Sequence, residues 1–473
     1  MTGRLDLVIV GMGSGGMVAA EFAASLELRV AVVERGRVGG DCLWTGCVPS
    51  KALLASAKAA HTMRTAQIYG LPAVDPDIDT ELVWKRIKAV QDRVATSDDD
   101  PARFEAMGVR IVRGAATLIG PHAVHVELVA GGATDLESRF VLLCTGSRPA
   151  EPAIPGLTEA GYLTSETIFE MDRAPASICC IGGGPIAIEM AQGLRRLGLP
   201  TTVLQKGPGI LPRDEPDLVA VLTRCLREEG VDLRVGIDVE RVEVVDGRKV
   251  VHGHEGGAPS TWTADQLMVA VGRRPNVEDL DLEGLGIDTG PRGIVTDDRM
   301  RTTVASVYAA GDVAGRHLFT HSAGHEAVRA VRDMFFPGKG TVSGLIPWCT
   351  FTDPELAHAG LTVAEAHDRH GDDVEVWRMG LDHSDRARAE SATDGEIIVV
   401  TAKKKVVGAH ILAPEAGELI HELALAIHQG LKLNELAFVH AYPTLSTSVG
   451  QLAAEAAVEG AKRFRWLVRR EKP

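Results

Sequence analysis

"LDLVIVGMGSGGMVAAEFAASLELRVAVVERG", Leu5–Gly36, reads as a buried strand, a glycine turn, an alanine-rich helix and a second strand. Gly11, Gly13 and Gly16 keep the spacing G-x-G-x-x-G, and Glu34 closes the second strand. The first glycine permits the tight turn, the second lets backbone N–H groups reach a pyrophosphate, and the third brings helix and strand together. Glu34 is a carboxylate able to accept hydrogen bonds from a ribose. The whole unit, acid included, predicts a dinucleotide site in an α/β fold.

A second unit of this kind begins at "ASICCIGGGPIAIEMAQGLRRLGLPTTVLQKG", Ala176–Gly207, where Gly182, Gly184 and Ala187 give the variant G-x-G-x-x-A. The acid expected at the end of its second strand is replaced by Gln205 and Lys206, with Arg213 a little further on. A carboxylate there repels a 2′-phosphate and these cations attract one, so the second site is expected to take NADPH, with NADH the weaker alternative. Cys179 and Cys180 fall inside its first strand and read as small core residues, as do the isolated Cys144, Cys225 and Cys349. "LLCTGSRP" (142–149), "VAVGRRPN" (269–276) and "VYAAGDVAG" (307–315) are short apolar strands ending in glycine. Their places predict that the chain leaves the first nucleotide domain near Gly146, builds the second, and returns near Gly272.

The rest of the composition bounds the function. At 473 residues the chain needs about three domains. Its 45% hydrophobic and 24% charged content is that of a globular protein, and a net charge of −14 argues against general nucleic-acid binding. No apolar run approaches the roughly 18 residues of a membrane span. Leu7–Val10 runs straight into glycines and is a strand, not a secretory segment, so a cytoplasmic location is expected. Structural disulfides are rare there, and a close cysteine pair reads first as catalytic or metal-binding.

Such a pair exists in "GGDCLWTGCVPSKAL", Gly39–Leu53, with four residues between Cys42 and Cys47. On spacing alone it is a redox couple, a metal site or two buried thiols. Together with both glycine turns, the stretch resembles the flavin-dependent pyridine nucleotide-disulfide oxidoreductases, the family of glutathione reductase, dihydrolipoamide dehydrogenase and mercuric reductase. The resemblance covers nearly the whole chain. It implies FAD on the first unit, a nicotinamide nucleotide on the second, and a C-terminal domain that makes a homodimer. It further implies a Cys42–Cys47 disulfide in which Cys42 meets substrate and Cys47 sits against the flavin. Lys51 and Glu189 match a pair beside the reactive edge of the flavin, Asp312 a residue that bonds its ribityl and phosphate region, and Ala116 a backbone contact to adenine. In the implied relay, hydride passes from nicotinamide to flavin and the electrons are stored as a dithiol. The residues agree with this: "CVPSKAL" reads as a helix start, which favours thiolate, and no second C-x-x-C or histidine pair offers zinc its further ligands.

The pattern breaks near the C-terminus. Members that reduce disulfides carry His-Pro-Thr and then a glutamate as acid and base across the dimer. Here "HAYPTLSTSVG" puts Tyr442 in the histidine's place and Thr447 in the glutamate's; His440, two residues earlier, reads as a surface or interface histidine, or as a substitute base after a backbone shift. Tyrosine titrates near pH 10 and is a poor base at neutral pH. An acceptor that needs electrons and little proton management is therefore expected: a metal ion, a quinone or a similar small molecule. Mercuric reductase-like chemistry is a close alternative, although its terminal cysteine pair has no counterpart in "RREKP". A disulfide reductase of the dihydrolipoamide dehydrogenase kind and a redox-sensor flavoprotein are the others. Pro185 stands where many members place a tyrosine over the flavin. The tail "AKRFRWLVRREKP", Ala461–Pro473, is basic and aromatic in an acidic chain and offers a weak contact to an anionic membrane surface.

The expected architecture is thus α/β: two Rossmann-like nucleotide-binding domains, for FAD and NAD(P), and a C-terminal α+β dimerisation domain. The FAD domain takes residues 1–150 with a return segment at 271–343, the nicotinamide domain 151–270 and the dimerisation domain 344–473.

Overall fold

The protein is described by a computed structural model covering residues 4–338 and 340–462. All of the basic tail beyond Lys462 lies outside the described residues. Two compact units emerge, the first made of Met1–Leu53, Asp79–Ala174 and Gln266–Gly344, the second of Leu54–Ile78, Pro175–Asp265 and Leu345–Pro473.

In the first unit, strand Leu5–Val10 lies at the centre of a parallel sheet. Val30–Glu34 and then Arg110–Gly120 flank it on one side, Ala133–Leu143 and Val307–Ala309 on the other. Leu7, Val8 and Ile9 are fully buried, as expected of a strand covered on both faces, whose sequence runs apolar without alternating. Ala123–Leu128 links the outer parts of Arg110–Gly120 and Ala133–Leu143 in an antiparallel meander. Helices Ser14–Ser25 and Thr320–Phe335 pack against each other close to Gly15, where an added Cβ would stand 3.4 Å from the Ala323 carbonyl oxygen. The central strand therefore ends, at Gly11, where its neighbours on the two sides diverge, the place where open parallel sheets bind ligands.

The second unit holds three parallel strands, Ile178–Ile181, Thr201–Gln205 and Asp232–Val235, and an antiparallel ribbon over residues 237–264. It also holds a five-stranded antiparallel sheet ordered Trp348–Thr350, Glu355–Gly360, Lys405–Ala413, Glu396–Ala402 and Val374–Gly380. Helices Ala416–Gln429 and Thr447–Lys462 contribute Ile420, Leu423, Val449 and Leu452 to the core beneath that sheet. No helix among the described residues is long and apolar enough to cross a membrane.

Candidate active site

The first glycine turn is built for close approach. Gly11 has φ +98°, and a Cβ on it would lie 2.3 Å from the Cys144 carbonyl oxygen; one on Gly16 would lie 2.0 Å from the Gly11 oxygen. No side chain fits at either position, and Gly13 leads into the helix Ser14–Ser25 as its N-cap. Glu34 accepts from the Met12 and Gly36 backbone N–H groups at 2.6 Å each, so its carboxylate is fixed at the turn. A turn with no room for side chains at Gly11 and Gly16, running into a helix N-terminus with an acid at its rim, fits the FAD expected there. Ala116 lies in strand Arg110–Gly120 against the core of the same unit. Gly146, φ +71°, takes the Asn276 N–H on its carbonyl, and Gly272 takes that of Ala150, placing Gly272 in the unit of the first glycine turn.

Cys42 lies in the short helix Gly40–Trp44, and Cys47 is the first residue of helix Cys47–Arg64, with Lys51 one turn on. The two thiols are hydrogen-bond neighbours. That bond, then burial, then the charge of Cys47 push the Cys42 thiol far above its usual range. Thr320, which the sequence reading passed over, puts its hydroxyl 3.4 Å from the Cys47 sulfur from the first turn of helix Thr320–Phe335. Cys47 thus meets two helix N-termini and a hydroxyl, all of which favour a thiolate.

Arg273 was also missed. Its Nε donates to Ser147 Oγ at 2.6 Å and lies 3.6 Å from Asp312 Oδ2, while Nη2 donates to Asp41 Oδ2 and to the Ser147 carbonyl at 3.0 Å. Ser147 Oγ in turn donates to Asp312 at 2.5 Å. Burial pushes the Asp41 carboxyl up against the pull of Arg273, and the Asp312 charge adds to the rise. Arg273 adjoins Gly272 in "VAVGRRPN", but its hydrogen-bond partners Ser147 and Asp41 lie 126 and 232 residues away in sequence and no local spacing reveals them.

In the second unit the turn Gly182–Gly184 leads into helix Pro185–Arg196, with Pro185 at a first-turn position where no N–H is required. Space beside Gly184 is open, as a bound pyrophosphate needs, and Ala187 is fully buried behind it. Gln205 folds across Gly183 and donates to the Gly209 carbonyl at 3.2 Å. Lys206, 85% exposed, pairs with Asp238 at 3.1 Å. Arg213 lies over the Trp348 ring at 4.7 Å, so the two cations expected at a 2′-phosphate have separate partners here. Glu189 is buried and accepts from the Phe351 N–H at 2.9 Å. Burial raises the Cys179 thiol, and holds that of Cys180 at about 12.

The C-terminal stretch places Tyr442 at the surface, 70% exposed, with its hydroxyl donating to Asp385 Oδ2 at 2.8 Å. That bond raises its pKa further. His440 is held between acceptors, Nδ1 3.0 Å from the Phe438 carbonyl and Nε2 3.1 Å from Glu422. Thr447 Oγ1 donates to the Ala441 carbonyl at 3.1 Å. Tyr442 thus points its hydroxyl proton at Asp385, and both ring nitrogens of His440 already face oxygen partners.

Residues 5–331 match the family model of pyridine nucleotide-disulphide oxidoreductases, and residues 346–453 match the dimerisation domain of the same family. The chain belongs to the pyridine nucleotide-disulphide oxidoreductases. The oxidoreductases of this family are FAD-dependent and use NAD(P)H, and the dimerisation domain supports a homodimer. Among similar proteins, a dihydrolipoyl dehydrogenase 2 of Haloarcula marismortui is 34% identical over 96% of this chain and 97% of its own. A mercuric reductase of Bacillus cereus is 32% identical over 91% of this chain and 68% of its own. Among solved structures, the Cu(II) complex of the HOCl-induced flavoprotein disulfide reductase RclA from Escherichia coli has 25% identity and a TM-score of 0.86, covering 96% of this chain and all of that one. LpdA from Mycobacterium tuberculosis has 26% identity and a TM-score of 0.87 over the same share.

Proposed function

We infer that this oxidoreductase uses NADPH to reduce a small electron acceptor, a soft metal ion or a quinone, through FAD and the Cys42–Cys47 pair. The carrying observation is the occupied C-terminal stretch: Tyr442 donates to Asp385, and His440 lies between a carbonyl and Glu422. Thiol–disulfide exchange with an organic disulfide needs a base to manage the substrate proton. A metal ion takes electrons from a thiolate without one, and a quinone can collect its protons from solvent.

Bound FAD supplies the two-electron link between nicotinamide and disulfide. The chain's own residues do the rest. Gly11, Gly13, Gly16, Glu34, Ala116, Gly146 and Asp312 hold FAD. Gly182, Gly184, Ala187, Gln205, Lys206, Arg213 and Gly272 serve the nicotinamide nucleotide, Lys206 as the principal contact to a 2′-phosphate. Lys51 and Glu189 set the charge around the reacting ring. Cys47 is the thiolate on the flavin side, Cys42 the group that meets the acceptor, and Tyr442 lines the acceptor's approach without serving as a base. Domains 1–150 with 271–343, 151–270 and 344–473 carry FAD, nicotinamide and dimer contacts, in a homodimer of the cytoplasm.

The test is anaerobic reduction by NADPH followed by rapid mixing, separately, with cupric ion, mercuric ion, a benzoquinone and lipoamide. Reoxidation by a metal ion or quinone at least about tenfold faster than by lipoamide is expected. Faster reoxidation by lipoamide would overturn the reading in favour of a disulfide reductase.

A further inference from the structure

The residue before the first redox cysteine is an acid, and the backbone puts it at the edge of the phosphate turn. Gly39 N–H donates to the Met12 carbonyl at 3.0 Å. Gly40 lies so close to Gly13 that a Cβ on it would stand 2.7 Å from the Gly13 Cα. Asp41 follows directly. Asp312 and Glu34 already bring two carboxylates to this region, and Glu166 feels the charge of Asp41. FAD adds the two negative charges of its pyrophosphate at the same turn. Like charges at this range, in a partly buried site, repel strongly. The Arg273 guanidinium, 15% exposed, reaches Asp41, Ser147 and Asp312 together.

We propose that Arg273 is a charge-compensating clamp for FAD binding, neutralising Asp41 at the phosphate turn while holding the Ser147–Asp312 pair in place. It is a positioning residue for the cofactor site. The inference rests on FAD occupying the first glycine turn and is independent of the acceptor. It makes the two members of one ion pair act in opposite directions. Removing Arg273 leaves two carboxylates facing the pyrophosphate, whereas removing the Asp41 charge leaves the guanidinium free to attract it. An ion pair that only stabilised the fold would weaken FAD binding when either member was lost.

The experiment uses the full chain as unsubstituted protein, Asp41→Asn, Arg273→Gln, Arg273→Lys and the double variant Asp41→Asn/Arg273→Gln. Flavin per polypeptide is read from absorbance, and the FAD dissociation constant by reconstituting stripped protein at low and high salt. Arg273→Gln is expected to bind FAD about tenfold or more weakly, Asp41→Asn several-fold more tightly, and the double variant between Arg273→Gln and the unsubstituted protein. Arg273→Lys, which keeps charge but not the fork, is expected between Arg273→Gln and the unsubstituted chain. Unchanged FAD affinity in Arg273→Gln, or a double variant as weak as Arg273→Gln, overturns the proposal. Should Arg273→Gln fail to fold, as judged by circular dichroism of the stripped protein, Asp41→Asn decides alone: FAD binding equal to or weaker than that of the unsubstituted protein overturns it. Failure of the unsubstituted protein to bind FAD would instead overturn the assignment of the glycine turn.

Discussion

Replacing Thr320 by valine removes a hydroxyl that stands 3.4 Å from the Cys47 sulfur and also draws the Cys42 thiol downward. Valine keeps the shape and the helix start, so the change is in hydrogen bonding alone. A bond to an ionised group contributes about 1.5–3 kcal/mol, and the exposure of Cys47 puts this one near the lower end. At 1.36 kcal/mol for each pKa unit, the first ionisation of the dithiol should rise by about one unit. The two helix N-termini at Cys47 remain and limit the shift. The assay is the rate of iodoacetamide alkylation of the reduced protein as a function of pH, with the labelled cysteine identified by peptide mass. The rate–pH profile should move up by about one unit, whichever cysteine carries the label. A profile unmoved within about 0.3 unit would refute the part assigned to Thr320.

Tyr442→Phe removes the donor to Asp385 and should change reoxidation by a metal ion or quinone by less than about threefold in stopped-flow, because no proton passes through that hydroxyl. Lys206→Glu should raise the KM for NADPH by about tenfold or more and leave that for NADH nearly unchanged, as steady-state assays with both nucleotides will show. Stability should fall with acid. Burial holds His358 down to about 4 and His410 down to about 3, below the unfolded value of 6.5, so the folded chain binds fewer protons there. Stability is intact above pH 6.5 and is lost as pH falls through that value towards 4, by about 3 kcal/mol for His358 alone. Asp214, pushed up to about 6 by burial, acts in the opposite sense below pH 6 but is outweighed by two histidines. The melting temperature should therefore drop between pH 6.5 and 4.5, and His358→Asn should flatten that slope; an unaltered slope would exclude His358 as its source.

What the sequence made legible is what depends on local spacing. Gly11 and Gly16 announce their turn because no other residue leaves room for the carbonyls of Cys144 and Gly11. Cys47 could be placed at a helix start from "CVPSKAL" for the same local reason, and Leu7–Val10 as a buried strand from its unbroken apolar run. Partnerships across the chain were illegible. Arg273 meets Asp41 from 232 residues away and Thr320 meets Cys47 from 273, through a sheet whose order is not that of the sequence. The same limit hid the neighbour of Arg213, whose guanidinium lies over Trp348 from 135 residues away. His440 was visible as a substitute base, but not the Glu422 that engages it from helix Ala416–Gln429.

The central claim is that electrons reach the acceptor through Cys42 and Cys47. The most direct measurement is an anaerobic reductive titration of the unsubstituted protein and Cys42→Ser, followed by mixing each with cupric ion and a benzoquinone. The account predicts that the unsubstituted protein takes up about twice as many electrons per flavin as Cys42→Ser, since two are stored in the disulfide, and that Cys42→Ser loses rapid reoxidation. Equal electron uptake, or equally rapid reoxidation without Cys42, would contradict it and make the flavin itself the donor.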